Sequence, residues 1–242
     1  VKKIDIRNKL EEIGVSLDSV IMGDFDYIGE FTAKRDRKKD DANYKRYGAF
    51  YRANYERGIL IYYLIRQYNL SSLLEIGFGR GYATFCAARA FHDAGIPGKI
   101  VTIDPALDEK YVQALQTVFP KEWFDYVTFM RGRSQDVLPK TDGHFDMIYI
   151  DGDHSYQATK SDWEMTKDKY DKFLLFDDYH LPSKEDKGTI QCSSAIDEVD
   201  DPSKELIIMD RRMFFDDRRF TDEQIDYGQV LLTKEGVGRD DW

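Results

Sequence analysis

The run Leu73-Leu74-Glu75-Ile76 and the Gly77-Phe78-Gly79-Arg80-Gly81 that follows it constrain this chain more than any other stretch. An apolar segment ending in an acid reads as a buried strand, and glycine at every second position after it reads as a tight turn. Tyr82 to Ala90 then continues with helix-forming residues. Glycine has no Cβ, so Gly77, Gly79 and Gly81 can take backbone conformations and close approaches that other residues resist. Strand, glycine turn and helix in that order open a βαβ unit.

The rest of the chain repeats the alternation. Strand-like segments at 73–76, 99–103, 126–130, 145–150 and 173–176 are separated by helix-like ones, which predicts a parallel sheet covered on both faces. Beyond Asp177-Asp178 the pattern loosens, resumes as a helix at 193–199, and ends in two strands at 205–209 and 227–233 that read as an antiparallel pair. The predicted fold is therefore α/β. It is a doubly wound, mostly parallel, seven-stranded Rossmann-like sheet with an antiparallel C-terminal strand pair and an N-terminal helical appendage. Residues 1–56 are expected to form the appendage or a lid, with a dense charge block at 34–41. Residues 57–235 are expected to form the main domain.

At 242 residues and 42% hydrophobic the chain can bury one full core. A net charge of −10 argues against general polyanion binding, which needs a basic surface. The two cysteines, Cys86 and Cys192, belong to no CxxC pair, so a disulfide framework or structural zinc is not expected. Apolar runs fall short of the ~20 residues of a membrane span, and the start Val1-Lys-Lys-Ile-Asp lacks a signal-peptide core. The expectation is a soluble, cytoplasmic protein.

The turn has the spacing G-x-G-x-G, whereas a dinucleotide fingerprint requires G-x-G-x-x-G. Glu75 ahead of it would repel a pyrophosphate and suits a cationic amino-acid group. Asp104 ends the second strand, where a carboxylate can accept the hydroxyls of a ribose. Ser134-Gln135 follow the third strand, placed to meet the edge of a base. With these three pieces, residues 58–233 resemble the class I S-adenosylmethionine-dependent methyltransferases. That resemblance implies that Glu75, Gly77, Gly79 and Gly81 contact the amino-acid half of S-adenosylmethionine, Asp104 its ribose, and Ser134 and Gln135 its adenine.

The fourth strand runs into Asp151-Gly-Asp153-His154 and the fifth into Asp177-Asp178. Carboxylates converging from adjacent strand ends repel one another unless protonated or neutralised by a cation, and oxygen donors of this kind suit Mg²⁺. The pattern resembles the metal-dependent small-molecule O-methyltransferases of the catechol type and their macrolide-sugar and cephalosporin-type relatives. It implies that Asp151, Asp177 and Asp178 bind the metal, and that His154, three residues after Asp151, is the general base. The acceptor implied is a hydroxyl on a small molecule, such as a sugar, glycoside or diol, since an Asp-Asp pair is nearer the sugar and antibiotic enzymes than the catechol type.

Other readings stay open. Residues 34–46, with Tyr44, Tyr47, Phe50 and Tyr51 nearby, could grip a nucleic acid, although the acidic chain disfavours it. The fold could also serve a non-catalytic cofactor-binding or assembly protein. Asp153 is either a helix cap or a spare ligand, and a homo-oligomer is compatible with the sequence.

Overall fold

A computed structural model describes residues 2–4, 6–20, 55–117, 119–180, 191–209 and 227–238. Its centre is an eight-stranded sheet. The strands are β1 (Lys2–Ile4), β2 (Ser72–Ile76), β3 (Lys99–Asp104), β4 (Val127–Arg131), β5 (Phe145–Ile150), β6 (Tyr170–His180), β7 (Glu205–Met209) and β8 (Tyr227–Thr233), in the spatial order β1-β7-β8-β6-β5-β2-β3-β4. β8 is antiparallel to both its neighbours, β6 and β7, and every other pairing is parallel. The seven strands expected from the sequence are present, and β1 adds an eighth at the edge. Its three residues are too short and polar to stand out as a strand until they pair with β7.

Alternation along the strands explains the layering. Leu73, Ile100, Met147, Phe173, Leu175 and Leu231 face one apolar layer, and their neighbours Leu74, Val101, Ile148, Leu174, Phe176 and Leu232 face the other. Both faces are buried, so the strands read as continuous apolar runs. Each such Leu, Ile or Phe removed from water contributes about 1.5–3 kcal/mol.

Helices α1 (Ile6–Glu12), α2 (Leu17–Val20), α3 (Tyr55–Tyr68) and α4 (Tyr82–Ala94) supply residues to the first layer. In α3 every side chain from Ile59 to Leu64 is at most 2% exposed, because the N-terminal residues Ile4, Ile6, Leu10, Leu17 and Val20 join the same cluster. Ile4, Ile6, Leu10, Leu17 and Val20 are thus built into the core, and the charge block at 34–41 lies outside the described residues. The short helices α5 (Glu109–Leu115) and α6 (Ser134–Val137) follow β3 and β4. Helices α7 (Tyr156–Thr166) and α8 (Cys192–Asp197) follow β5 and β6, and Val137, Trp163 and Ile196 pack into the second layer. Among the described residues no helix is long and apolar enough to cross a membrane.

Candidate active site

The sheet register lines the site up before any side chain is considered. Ile76 pairs with Ile103 on one side and Ile150 on the other, and Ile150 pairs with Phe176. The next residue on each strand is therefore Asp104, Gly77, Asp151 or Asp177, in one row across the carboxyl ends. Open α/β sheets bind ligands at this edge. A crevice of about 690 Å³ opens there, lined among others by Gly77, Gly79, Asp104, Ser134, Gln135, Asp151 and His154.

Gly77 explains why the row closes so tightly. Its φ is +93°, and a Cβ there would lie 2.0 Å from the carbonyl oxygen of Asp151. The Asp151 N–H donates to the Ile76 carbonyl at 2.8 Å, so the glycine turn and the end of β5 share backbone. Gly79 lines the crevice with φ +52°. Gly81 stands at the N-terminus of α4 with φ +81°, and a Cβ there would meet the Phe78 ring at 2.4 Å. Phe78 is itself 3% exposed and packs edge-on against Phe85, Tyr111 and Phe129, which pins the turn to the core.

Asp104 holds the turn from the next strand. One carboxylate oxygen accepts the Phe78 and Gly79 N–H groups at 3.1 and 3.2 Å, and the other accepts the Ala106 N–H at 2.7 Å. These bonds take three of roughly four acceptor positions on a carboxylate. Asp104 is thus a brace for the glycine turn as well as a wall of the crevice.

Glu75 is placed differently from a surface ligand. It is 1% exposed, behind the turn on the α4 side, where one carboxylate oxygen accepts the Thr84 hydroxyl and, at 2.5 Å, the Thr102 hydroxyl. The other oxygen, Oε1, is buried without a partner. Burial pushes its pKa up to about 8, against the two threonine hydrogen bonds that favour the charged form. Glu75 thus lies behind the turn rather than in the crevice lining, and its burial favours the protonated, uncharged form.

At the far end, Asp151, His154 and Asp178 converge. His154 Nε2 lies 3.5 Å from Asp151 Oδ1 and 3.2 Å from Asp178 Oδ2. One donor atom from each of the three lies within 4.8 Å of the others, the spacing of a chelating set. The hydrogen bond with Asp151, together with the charges of Asp178, Asp151 and Asp177, raises the His154 pKa to about 9 despite its partial burial. Asp177 does not join this set. It is 3% exposed, its Oδ2 accepts the Tyr149 hydroxyl at 2.6 Å, and its Oδ1 accepts the Asp178 N–H at 2.8 Å. The three-carboxylate cluster expected from the sequence is thus two carboxylates and an imidazole, with Asp177 as the neighbour beneath.

Two residues outside the motifs matter here. Tyr149 precedes Asp151 by two, so strand alternation puts them on one face, and its hydroxyl lies 3.4 Å from Asp151 Oδ2. That signal was readable in the sequence. Asp162, on α7, is 1% exposed, and burial pushes its pKa up to about 6, an environment that no spacing rule reveals. Asp153 is not the cap of α7: Ser155 is, its side chain accepting the Ala158 N–H, while Asp153 Oδ1 accepts the Ser155 N–H at 2.9 Å in the turn before the helix.

Comparison with known proteins agrees with this geometry. Residues 74–179 match the family Methyltransf_24, described as a methyltransferase domain. The O-methyltransferase hkm8 of Aspergillus hancockii is 33% identical over 90 residues, which are 36% of this chain and 33% of that protein. The matched part therefore spans about a third of the length of that curated relative. In fold, the chain is similar to cofactor-bound Rv0187 from MTB, with a TM-score of 0.58, 18% identity and coverage of 90% of this chain and 93% of that one. It is equally similar to the O-methyltransferase from Bacillus cereus in complex with SAH, with a TM-score of 0.58, 16% identity and coverage of 95% and 97%. Sequence and fold meet on the same strand ends, and residues 74–179 resemble a methyltransferase domain.

Proposed function

We propose that the protein transfers a methyl group from S-adenosylmethionine to a hydroxyl of a small molecule, with Mg²⁺ at the Asp151 end of the crevice. The observation that carries this reading is the cluster of Asp151, His154 and Asp178 at one end of the crevice whose other walls are the glycine turn, Asp104 and Ser134-Gln135. A donor site and an acid–base site thus face each other across one cavity, whose volume is in the usual range for small-molecule sites. The names of the Aspergillus and Bacillus relatives, and the SAH bound to the latter, support the same reading.

The reaction is a displacement: an acceptor oxygen forms a bond to the methyl carbon as the carbon–sulfur bond breaks. The sulfonium leaves as a neutral thioether, and the acceptor's proton must go to a base. The chain's task is mainly positioning, which places nucleophile and methyl in line and excludes water. The glycine turn and the Asp104 and Ser134 loops hold the donor. Asp151 and Asp178 are the carboxylates that would hold a cation, and their hard oxygens fit Mg²⁺. Such a cation, when bound, lowers the pKa of an acceptor hydroxyl and fixes its position. Two adjacent acceptor oxygens would match this best, which points to a sugar or diol-like substrate.

His154 is the group placed to take the proton, and general-base help of this kind is typically worth ~10² to 10⁴ in rate. Only the neutral ring can accept. Asp151 and Asp178, which hold it protonated, are also the residues that would share their charge with the cation.

Calorimetric titration with S-adenosylmethionine and S-adenosylhomocysteine, with and without Mg²⁺, tests both halves. The expected result is cofactor binding that survives Asp151→Ala and Asp178→Ala, with Mg²⁺ binding lost in both variants. Transfer of a labelled methyl group to a panel of sugars and diols should require Mg²⁺. Cofactor binding without any effect of the metal on either readout would overturn the metal assignment and leave the donor assignment standing.

A further inference from the structure

Gln229 is the buried amide that the mechanism does not use. It lies on β8 and is 3% exposed, and among the described residues neither its side-chain oxygen nor its nitrogen has a hydrogen-bond partner. Folded chains rarely leave such a group unmatched, because it gives up its bonds to water and gains none in return. A primary amide offers two N–H donors and a carbonyl acceptor, so both kinds of hydrogen bond are open here.

The sheet places this amide at the acid–base end of the crevice. Phe176 pairs with Val230 and Tyr179 with Gly228, so Gln229 is the one residue of β8 that faces both Asp177 and Asp178 across a bulge in β6. Strand alternation puts its side chain on the face of Leu231, the first apolar layer, to which Tyr149 also belongs. Asp151 and Asp177 share that face, since each lies against the Tyr149 hydroxyl. Gln229 therefore stands one strand spacing, ~4.8 Å, from the bulge that presents Asp178 to His154.

We propose that Gln229 is a specificity-determining residue for the methyl acceptor, its amide recognising a hydroxyl on the carbon next to the oxygens held at the Asp151 end of the crevice. This rests on the methyl-transfer reading above and deepens it, because it favours an acceptor with three consecutive hydroxyls, as on a sugar ring, over a simple diol. A hydroxyl both donates and accepts, so it can satisfy the amide carbonyl and an amide N–H together. A carboxylate at that place has no proton for the carbonyl, and Asp151, Asp177 and Asp178 repel its charge.

The test pairs acceptors that differ by one hydroxyl: pyrogallol against catechol, and methyl glucoside against methyl 2-deoxyglucoside. Transfer of a labelled methyl group with Mg²⁺ present gives kcat and KM for each, and calorimetry gives the affinity for S-adenosylhomocysteine. The wild-type protein should favour the acceptor with three consecutive hydroxyls by roughly tenfold or more in kcat/KM in at least one pair. Gln229→Leu should bring that ratio to within about twofold of unity, mainly by raising KM for the favoured acceptor. Its affinity for S-adenosylhomocysteine should stay within about twofold of the wild-type value. Gln229→Met, unbranched like glutamine, is the second variant should the leucine form fail to fold, and it should give the same result. An unchanged ratio in a folded, active variant overturns the proposal. So does a wild-type protein that shows no preference within either pair or methylates none of the four acceptors. Binding of S-adenosylhomocysteine separates the failures: where it persists the donor assignment stands, and where it is absent the methyl-transfer reading fails and this inference falls with it.

Discussion

Asp178 Oδ2 stands 3.2 Å from His154 Nε2, although the two belong to different strand ends and Asp178 follows directly on Asp177. In a regular strand consecutive side chains point to opposite faces. Here the β6–β8 register slips between Phe176 and Tyr179, so two residues of β6 oppose one of β8, and Asp178 has φ +52°. The bulge re-aims Asp178 towards His154, while Asp177 keeps its place beneath against Tyr149.

That conformation makes a prediction about position 178. Asparagine tolerates a left-handed backbone nearly as well as aspartate, so Asp178→Asn should keep stability within about 1 kcal/mol while lowering metal-dependent turnover at least tenfold. Valine does not tolerate it, and Asp178→Val should lose about 1–3 kcal/mol as well. Thermal unfolding and a methyl-transfer assay on the two variants separate backbone strain from chemistry.

Gly77→Ala should be among the most damaging single changes in the chain. The new methyl would overlap the Asp151 carbonyl at 2.0 Å on a backbone with φ +93°. Neither neighbour is a flexible side chain, so the row of strand ends must open. The expected outcome is a loss of at least about 2 kcal/mol in stability together with loss of S-adenosylhomocysteine binding, read by denaturant unfolding and calorimetry. Gly79→Ala, where a Cβ meets nothing within 4 Å, should be milder in stability.

Tyr149→Phe removes a hydroxyl and nothing else. Buried Asp177 then loses its 2.6 Å donor, which should cost about 1–3 kcal/mol. Cofactor affinity should stay within about twofold, because Tyr149 is not part of the crevice lining. Urea unfolding paired with S-adenosylhomocysteine titration checks both statements, and a large loss of cofactor affinity would contradict the separation of the two ends of the crevice.

Glu75 gives a pH dependence with a definite sign. Its carboxyl has a folded-state pKa of about 8 against an ordinary 4.5, so the folded state binds the proton more tightly than the unfolded chain does. Its contribution to stability is complete below pH 4.5 and is lost progressively as pH rises towards 8. Glu75→Gln should flatten this dependence. The difference between the two proteins across the window should be on the order of a few kcal/mol, since a tenfold change in proton affinity is worth ~1.4 kcal/mol. Urea unfolding at pH 5 and pH 8 is the measurement, and an equal slope in both proteins would show that Glu75 ionises freely.

Much of this protein was determined by its sequence alone. The apolar runs at β2, β3, β5 and β6, buried on both faces, marked a parallel sheet, and the glycine turn marked the edge at which the crevice opens. Those features are local: periodicity and backbone freedom act within a few residues. The same locality placed Asp104, Ser134, Asp151 and His154 at strand ends before any packing was known. Only the tertiary structure decided which acids work together. Asp177 and Asp178 are adjacent in sequence, yet a one-residue bulge sends one down to Tyr149 and the other across to His154. Glu75 was legible as an acid beside the turn, but its burial against Thr84 and Thr102 depends on how α4 lies over the sheet. A carboxylate's charge and partners are set by desolvation and by neighbours distant in the chain, and these exist only once the chain has packed.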